Sequence, residues 1–460
     1  MQLIKEKKML LYFSVSNWGM IRDELNFSMV AEREQAHSGR LYPLSKFKRR
    51  VLPVAAIYGA NASGKSTLIE ALRFAQMYVL IGPRSRTDRI ARKFYRLDKT
   101  YQNKPTAFSF VFEVDEDVFE YQFSVNDERV VAEELKQILS NDEKVIFSRN
   151  ENGLVEMNEP LKSSTNAKAY IEGCSSNKLY VTNLINQGNT ALSFVNQWFE
   201  NIRILTPDQI FGAFNYYATD NSPLSTTGSQ FFDVLKTGIC GFVREEVPAE
   251  QFPVREEMKV WLRANPDKEL PIMSPMRDMF VARWDSVEQR VRLYQIKTTH
   301  KSLDGNDVTF NVGLESDGTR RLMDLLPIFM GLIQTNLQAR PFICFVDEID
   351  RSLHPLLLKR VLSDYLGTLN GDCRSQLVFT THNAELIDQS ILRRDEINFL
   401  ERNAQGAASL SRLSDYRDEK GKAVRFDALL QKRYMRGDFG GIPDLPMVNI
   451  FDSMDIERTH

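Results

Sequence analysis

VLPVAAIYGANASGKSTLIEAL, residues 51–72, contains the pattern that decides the fold. Residues 51–58 are apolar and predict a buried strand, and an amphipathic helix is expected from Thr67 onward. Between them, Gly59 to Ser66 match GxxxxGK[ST] in the strand–loop–helix context in which this pattern binds phosphate. The stretch therefore predicts a P-loop and, around it, an α/β fold with a mainly parallel sheet.

The residue types in this loop suit a nucleoside triphosphate with Mg²⁺. Glycines let the backbone fold around a phosphate so that successive N–H groups point inward, and the helix N-terminus adds its positive dipole end. Lys65 brings a positive charge to the β- and γ-phosphates, and the hydroxyl of Ser66 is a ligand for Mg²⁺. The residues expected to contact the nucleotide are Gly59, Asn61, Ala62, Ser63, Gly64, Lys65, Ser66 and Thr67.

A second apolar run supplies the acids that such a site needs. Residues 341–350 read PFICFVDEID, and 342–346 are typical of a strand buried on both faces of a parallel sheet. Asp347 follows at the carboxyl end, where ligands bind in open α/β sheets. We expect it to hold Mg²⁺, in part through water. Glu348 is the candidate base for the attacking water, although two acids can also simply end a surface strand.

A third run, QLVFTTHNAELID at residues 376–388, predicts another short strand. It ends at His382, whose imidazole could reach a γ-phosphate or the water beside it. A lone histidine at a strand end is often structural, so the position of His382 after the Asp-Glu strand is what favours a catalytic role.

Together these motifs resemble the ABC-type branch of P-loop ATPases, and in particular its soluble heads related to SMC and OLD-family proteins. In those heads a Walker A loop precedes a signature helix, a Walker B strand ending in Asp-Glu, and a switch histidine. The resemblance covers about residues 8–160 and 280–445, and it includes the opening turn with Phe13, Asn17 and Trp18. It implies an ATPase of ABC head type that uses ATP and Mg²⁺, with an antiparallel β lobe and a core sheet flanked by helices.

The signature segment is ESDG within NVGLESDGTRRLMDLLP, residues 311–327. In ABC-type heads a serine and a glycine here bind the γ-phosphate of the ATP held by the other protomer, so the resemblance gives that role to Ser316 and Gly318. ATP would then be sandwiched between two heads of a dimer or larger oligomer. ESDG stands where transporters have LSGGQ, which favours the SMC-like or OLD-like side. The simpler alternative is a helix capped by the serine or aspartate, with Arg320 and Arg321 on its solvent face.

IDRSLHP, residues 349–355, resembles the D-loop, which crosses the same interface in these heads. Ser352 and His354 are candidates to touch the partner's site. The alternative interpretation of this segment is a simple turn that ends at Pro355.

The chain is expected to divide into four segments. Residues 105–136 alternate apolar and polar side chains, which predicts antiparallel hairpins. Residues 213–275 are irregular and rich in proline and glutamate, which indicates an inserted helical or loop module. Residues 292–312 predict a hairpin that turns at Asp304-Gly305. The segments are the N-terminal head with Walker A and the β lobe (1–160), a helical insert (161–280), the C-terminal head (281–425) and a tail (426–460). Tyr434, Arg436, Gly440 and Pro443 mark the tail, which resembles a closing segment of stand-alone defence ATPases with a packing or docking role.

Composition narrows the class of protein. The chain has 460 residues, is 43% hydrophobic and 26% charged, and carries a net charge of −2. It can therefore bury a sizeable core, and its charge gives no global sign of nucleic-acid binding. The four cysteines are scattered without a CxxC pair, which argues against a disulfide framework or a zinc site. With no apolar run near ~18 residues and no signal peptide, we expect a cytoplasmic protein that does not enter a membrane.

Local basic stretches leave the partner open. Residues 82–96 (GPRSRTDRIARKFYR) and 46–50 (KFKRR) are the most basic parts of the chain. They could contact a phosphodiester backbone, an acidic protein, or only solvent.

Two functions from different classes remain. The first is an ATP-gated sensor and scaffold that controls a separate effector, because the chain resembles ATPase subunits of the PARIS and Septu antiphage systems and ATPases paired with RloB-like proteins. That resemblance implies a nuclease partner and a phage-encoded trigger. After His382 only a short tail remains, without room for the Toprim nuclease domain of full OLD proteins, so the effector is expected on another polypeptide. The second is a RecF-like or SMC-like DNA-binding ATPase of repair or chromosome maintenance, which the basic stretches favour and the missing coiled coil weakens.

Transporter, kinase and GTPase functions fit less well. The signature is not LSGGQ, and no NKxD-type base-reading motif follows the Asp-Glu strand.

Overall fold

The computed structural model describes residues 8–44, 46–207, 217, 223–249, 254–338, 341–403, 405–417, 430–436 and 438–439. Their strands are β1 Lys8–Ser16, β2 Leu25–Ser28, β3 Tyr42–Leu44, β4 Arg49–Val51, β5 Val54–Tyr58, β6 Thr106–Val114, β7 Asp117–Val125, β8 Val130–Ile138, β9 Glu143–Asn150, β10 Gly153–Met157, β11 Ile202–Leu205, β12 Ile239–Val247, β13 Glu269–Met273, β14 Met279–Asp285, β15 Arg290–Lys301, β16 Asp307–Asn311, β17 Ile343–Val346, β18 Gln376–Thr381, β19 Ile397–Arg402 and β20 Ala408–Arg412. Their α-helices are α1 Lys65–Leu80, α2 Ala167–Glu172, α3 Tyr180–Asn186, α4 Ser193–Glu200, α5 Pro223–Val234, α6 Glu256–Ala264, α7 Asp317–Gln338, α8 Pro355–Gly367 and α9 Leu430–Met435.

The P-loop strand lies inside a six-stranded sheet with the order β11-β17-β18-β5-β19-β20. The first five strands are parallel, and β20 is antiparallel at the edge. Both faces of β5 are buried: Ala55 and Ile57 point into one apolar cluster, and Val54, Ala56 and Tyr58 point into the other. Because both faces of β5 and β17 are buried, their sequences are continuous apolar runs. The predicted P-loop NTPase fold with a mainly parallel core sheet is confirmed.

A seven-stranded antiparallel sheet, β10-β9-β8-β7-β6-β1-β2, forms the β lobe. Its strands β6 to β8 confirm the hairpins predicted for residues 105–136. Helices α1 and α4 cover one face, where Phe74 of α1 packs on Trp18 (4.7 Å between ring centroids) and Trp198 of α4 stacks on Phe112 (4.4 Å). The lobe is therefore packed directly against the helix that follows the P-loop.

The opening turn needs an asparagine for a structural reason. Asn17 is left-handed (φ 53°), and its Nδ2 donates to the carbonyls of Tyr101 (2.9 Å) and Lys104 (2.8 Å). Its Oδ1 accepts the N–H of Tyr95 at 2.9 Å. Asparagine tolerates this conformation better than most residues, so one side chain fixes the end of β1 against two later segments.

The insert contains helices, as expected, but it also contributes strands that the sequence did not indicate. Strands β12 and β13 join β14, β15 and β16 in an antiparallel sheet that runs through residue 280, where a segment boundary was expected. The alternation is hidden because both faces of β12 carry charges paired across the sheet, Glu245 with Lys297 on one face and Glu246 with Arg292 on the other. The hairpin predicted for residues 292–312 is present as β15 and β16.

The described part of the tail packs on the core sheet. Tyr434 of α9 is buried against Tyr58 and Phe399, with ring centroids 5.9 and 5.5 Å apart. Arg436 is exposed, and Gly440 and Pro443 lie outside the described residues. Among the described helices, none has the length and apolarity needed to cross a membrane.

Candidate nucleotide-binding site

The loop between β5 and α1 is built around two glycines. A Cβ on Gly59 would lie 2.4 Å from Ser63 Oγ and 2.5 Å from the carbonyl oxygen of Leu400, and Gly64 has a φ of 111° that disfavours a side chain. Ala62 is also left-handed, with a φ of 62°. The backbone therefore adopts the tight, strained course that a phosphate-binding loop requires.

The loop presents several polar groups. Asn61, Ala62 and Ser66 are exposed, Thr67 is half-buried, and Ser63 is buried. The Ser63 hydroxyl has no hydrogen-bond partner within the described structure. A buried hydroxyl without a partner is costly, so the loop fits an added acceptor such as a phosphate oxygen.

Lys65 begins α1 and is buried, with 6% of its surface exposed. Its Nζ donates to the carbonyls of Gly59 (2.7 Å) and Ala60 (3.0 Å). Burial lowers the pKa of Lys65 to about 8, while Asp347 and Glu348 oppose that shift. A partly desolvated ammonium of this kind favours an anionic ligand.

Asp347 and Glu348 follow β17, and one hydroxyl from the neighbouring strand β18 holds both. Thr380 Oγ1 donates to Asp347 Oδ1 at 2.5 Å and accepts the backbone N–H of Glu348 at 2.8 Å. Asp347 is 2% exposed, whereas Glu348 is half-buried. A single side chain therefore sets the positions of the two acids relative to each other.

The backbone of Glu348 is left-handed, with a φ of 48°. This conformation costs a non-glycine residue on the order of 1 kcal/mol. Arg321 of α7 donates to the carbonyl oxygens of Glu348 (2.9 Å) and Asp347 (3.2 Å). Thr380 fixes the peptide before Glu348 and Arg321 fixes the one after it, so the strained conformation is held from both sides.

His382 lies at the same edge of the sheet. Its side chain is exposed, and its backbone N–H donates to Asp350 Oδ2 at 3.0 Å. Partial burial and the positive charge of Lys65 lower the pKa of His382, while Asp350 and Glu348 oppose the shift. The imidazole is therefore mainly neutral at pH 7, and it interacts electrostatically with the P-loop lysine and the acids.

Ser316 and Gly318 lie at the start of α7. Ser316 Oγ accepts the N–H of Thr319 at 3.1 Å, so it caps the helix, which is the structural role considered as the alternative. A Cβ on Gly318 would lie 2.8 Å from the carbonyl oxygen of Ser352. The signature thus lies against the D-loop, and within the described residues neither Ser316 nor Gly318 hydrogen-bonds to the P-loop.

The signature and D-loop share an exposed surface. Ser352 and His354 are exposed, and His354 caps α8 by accepting the N–H of Leu356 at 3.3 Å. Two leucines beside them are unusually open, with Leu314 74% exposed and Leu356 62% exposed. These two side chains are open to solvent near the contact between Gly318 and Ser352.

Three residues at the site were not identified from the sequence. Thr380 lies on another strand from the acids that it holds, and Asp350 was included in the D-loop segment without a role of its own. Arg321 was expected, under the capping alternative, on the solvent face of α7, but it is 6% exposed and points to the Walker B carbonyls. The sequence does hold a signal for the inward position of Arg321. Neighbouring residues on a helix point about 100° apart, so Arg320 and Arg321 face different sides of α7.

The residues present fit a nucleotide and Mg²⁺. The glycine loop, the buried Ser63 hydroxyl and Lys65 suit a triphosphate, and the Ser66 hydroxyl and Asp347 carboxylate are oxygen ligands of the kind Mg²⁺ prefers. Within the described ranges, no three His, Cys, Asp or Glu side chains gather as a metal site.

Comparison with known proteins gives one family and several distant structures. The family described as "AAA domain, putative AbiEii toxin, Type IV TA system" matches residues 54–388. Among solved structures, the SMC head domain from Thermotoga maritima has 12% identity and a TM-score of 0.36, over 88% of this chain and 98% of that chain. The RecF–ATP structure of the RecFOR pathway has 14% identity and a TM-score of 0.34, over the same shares. No curated protein matches. At these scores, the fold rests on the strand order and loop geometry described above.

Proposed function

The chain belongs to the AAA domain family described as "putative AbiEii toxin, Type IV TA system", and we propose that it hydrolyses ATP sandwiched between two copies of its head. In doing so it controls a separately encoded effector in antiphage defence. AAA domains are ATPase modules, so the family and the P-loop support ATPase activity. The sandwich and the effector are the finer parts of the proposal.

The site residues divide the chemistry of hydrolysis among them. The loop from Gly59 to Thr67 binds the phosphates, with Lys65 on the β- and γ-phosphates. Ser66 and Asp347 would hold Mg²⁺, which would neutralise charge on those phosphates. Glu348 takes a proton from the attacking water. Neutral His382 hydrogen-bonds to the γ-phosphate or to that water.

One observation carries the assignment of the acids. Thr380 Oγ1 bridges Asp347 Oδ1 and the N–H of Glu348, and it does so at the edge of the sheet where the P-loop begins. Positioning of this kind is what phosphoryl transfer requires, because catalysis is almost entirely placement and electrostatics. Two acids that only ended a surface strand would need no such bridge.

The exposed surface at the signature supports the sandwich. Ser316, Gly318 and Ser352 lie together, bordered by open Leu314 and Leu356. A second head placed there would bury those leucines and bring its own nucleotide to the start of α7. The resulting interface would be isologous, since the same surface acts on both copies.

The family description supports a two-component arrangement, because a toxin–antitoxin system has two separately encoded parts. Together with the resemblance to antiphage ATPase subunits, this favours a nuclease effector and a phage-encoded trigger over direct DNA repair. The basic stretch at residues 82–96 gives weaker support for DNA binding than its sequence alone indicates. Arg89 and Arg92 both pair with Asp127, and Lys93 pairs with Glu70.

Glu348→Gln tests the sandwich, because it keeps the nucleotide and slows its loss. Native mass spectrometry of this variant with ATP and Mg²⁺ should give an assembly of at least twice the 53.0 kDa of one chain. Lys65→Ala is the matched control and should remain monomeric. A Glu348→Gln protein that hydrolyses ATP at the wild-type rate would remove Glu348 as the base.

The effector is tested with the same variant purified from its native host. A second protein at fixed stoichiometry, without nucleic acid, is the expected result. Bound DNA without a protein partner would replace this proposal with the RecF-like one.

A further inference from the structure

We propose that a cavity at the far end of α1 is a second anion site, which binds a small phosphate-bearing ligand. The cavity has a volume of about 330 Å³ and lies between the loop after α1 and helices α2 and α3. Its lining includes Arg84, Arg86, Lys178, Ser175, Asn183 and Gln187. It is separate from the P-loop, because the 16 residues of α1 place its two ends roughly 24 Å apart.

The charged side chains that line the cavity are all cations. Arg84, Arg86 and Lys178 line it, and no carboxylate does. In the described part of the chain, none of the three forms an ion pair. Burial raises the pKa of Cys174, behind the cavity, to about 12; Arg149, Lys178 and Arg86 oppose that shift, while Glu133 adds to it. Three cations facing one recess without an acid favour an anion.

The basic stretch that stands out in the sequence is thus divided in two. Arg89 and Arg92 share the Asp127 carboxylate and Lys93 pairs with Glu70, at 2.6 to 3.1 Å, whereas Arg84 and Arg86 line the cavity. A length of nucleic-acid backbone is usually bound by a row of cations. Converging cations in a recess fit one phosphate or diphosphate group instead, and Arg forks match that geometry.

The loop that carries the arginines is held in place. Asp88 Oδ2 accepts the N–H groups of Arg84 (3.0 Å) and Ser85 (2.8 Å). Asn177, fully buried, donates to the carbonyls of Ser85 (2.9 Å) and Asp88 (3.0 Å). The carbonyl of Val79 at the end of α1 accepts the Thr182 hydroxyl at 2.7 Å, which ties α3 to α1. A preformed loop loses little entropy on binding.

The size and lining indicate the ligand class. A volume of about 330 Å³ lies at the small end of ligand pockets. Amide and hydroxyl groups of Asn183, Gln187 and Ser175 supply neutral hydrogen bonds beside the cations. A free phosphorylated metabolite and a terminal phosphate of an oligonucleotide share this chemistry, and the probes below distinguish them.

The test uses the full chain with Lys65→Ala, so that the P-loop does not bind the probe. Inorganic pyrophosphate is titrated by calorimetry at about 0.15 M salt, where long-range attraction is screened. The expected result is saturable binding of one pyrophosphate per chain, weakened about tenfold or more by Arg86→Glu. Arg96→Glu makes the same change of charge on an exposed arginine outside the cavity, and it should leave the affinity within about twofold.

The proposal is overturned if pyrophosphate does not saturate, or if both substitutions weaken it equally. Lys178→Met is the second variant, in case Arg86→Glu fails to fold, and it should also weaken binding. A 30-base-pair duplex without terminal phosphates is the last probe. The proposal is contradicted if the protein binds that duplex more tightly than pyrophosphate and if both arginine variants lose this binding equally. That result would indicate a nucleic-acid-binding surface. A 5′-phosphorylated dinucleotide that binds as pyrophosphate does would identify a terminal phosphate as the ligand. None of these results depends on ATP hydrolysis.

Discussion

Thr380→Val removes the hydroxyl that joins the two acids while keeping the size of the side chain. Valine cannot donate to Asp347 Oδ1 or accept from the N–H of Glu348. A hydrogen bond to a charged group contributes about 1.5–3 kcal/mol, and a backbone N–H left without a partner costs about 1–3 kcal/mol. We therefore expect the free energy of unfolding to fall by about 2.5–6 kcal/mol.

The rate should fall as well, because Asp347 and Glu348 lose their common support. If the lost 1.5–3 kcal/mol is expressed in the transition state, kcat falls by about 10- to 150-fold. KM should change little, since the P-loop is untouched. Steady-state ATPase assays at several ATP concentrations, with urea denaturation of the same samples, measure both quantities.

Thr381→Val is the matched control, one residue along the same strand. Thr381 is also fully buried, and its hydroxyl accepts the N–H of Asn383 at 2.9 Å without touching either acid. It should lose stability while keeping kcat near the wild-type value. The reasoning about the acids fails if the two variants behave alike, that is, if both lose stability and both keep kcat near the wild-type value. Thr380 would then have only a structural role.

Four further predictions concern the loop, the signature and the helix behind Walker B. Burial lowers the pKa of Lys65 to about 8, so ATP binding above pH 8 takes up a proton. The measured affinity for ATP should therefore fall by up to about tenfold per pH unit. An affinity that does not change between pH 8 and 9.5 would contradict this. Gly59→Ala should lose ATP binding and about 1–3 kcal/mol of stability in thermal melts, because its Cβ meets the immobile carbonyl of Leu400. Ser316→Arg should bind ATP as a monomer but fail to assemble in native mass spectrometry, and unchanged ATP-dependent assembly would remove the signature role. Arg321→Met should lower kcat several-fold with a stability change under about 2 kcal/mol, since it removes a buried charge together with its bonds to Walker B; wild-type kcat would show that the helix does not position Glu348.

The core of the fold was predictable because its signals are local. The glycines and lysine of the P-loop lie within eight residues, and β5 and β17 are continuous apolar runs that only two-sided burial explains. The ladder β17–β18–β5, by contrast, brings Thr380 to Asp347 across 33 positions of sequence. No local pattern reports such a contact, which is why the sequence indicated both acids and not the residue that holds them.

Charge also concealed structure. In the insert, glutamates and arginines paired across β12 and β15 make an antiparallel sheet read as an irregular, charged segment. At residues 82–96 the opposite happens, because a uniform basic run consists of paired cations and of cations that face a cavity. In both places the sign of each charge is visible in the sequence, while its partner is set by the tertiary fold.

A mixing experiment tests the central claim, that Lys65 of one copy and Ser316 of another act on the same ATP. Lys65→Ala protein and Ser316→Arg protein are each expected to be inactive alone. In an equimolar mixture, an intact site forms where the Ser316→Arg copy supplies the P-loop and the Lys65→Ala copy supplies the signature. Because neither protein is expected to assemble alone, the mixture forms only mixed dimers with one intact site of two, so its ATPase rate should approach about half of the wild-type rate. A mixture as inactive as its two components, or a Ser316→Arg protein that is fully active alone, would contradict the shared site.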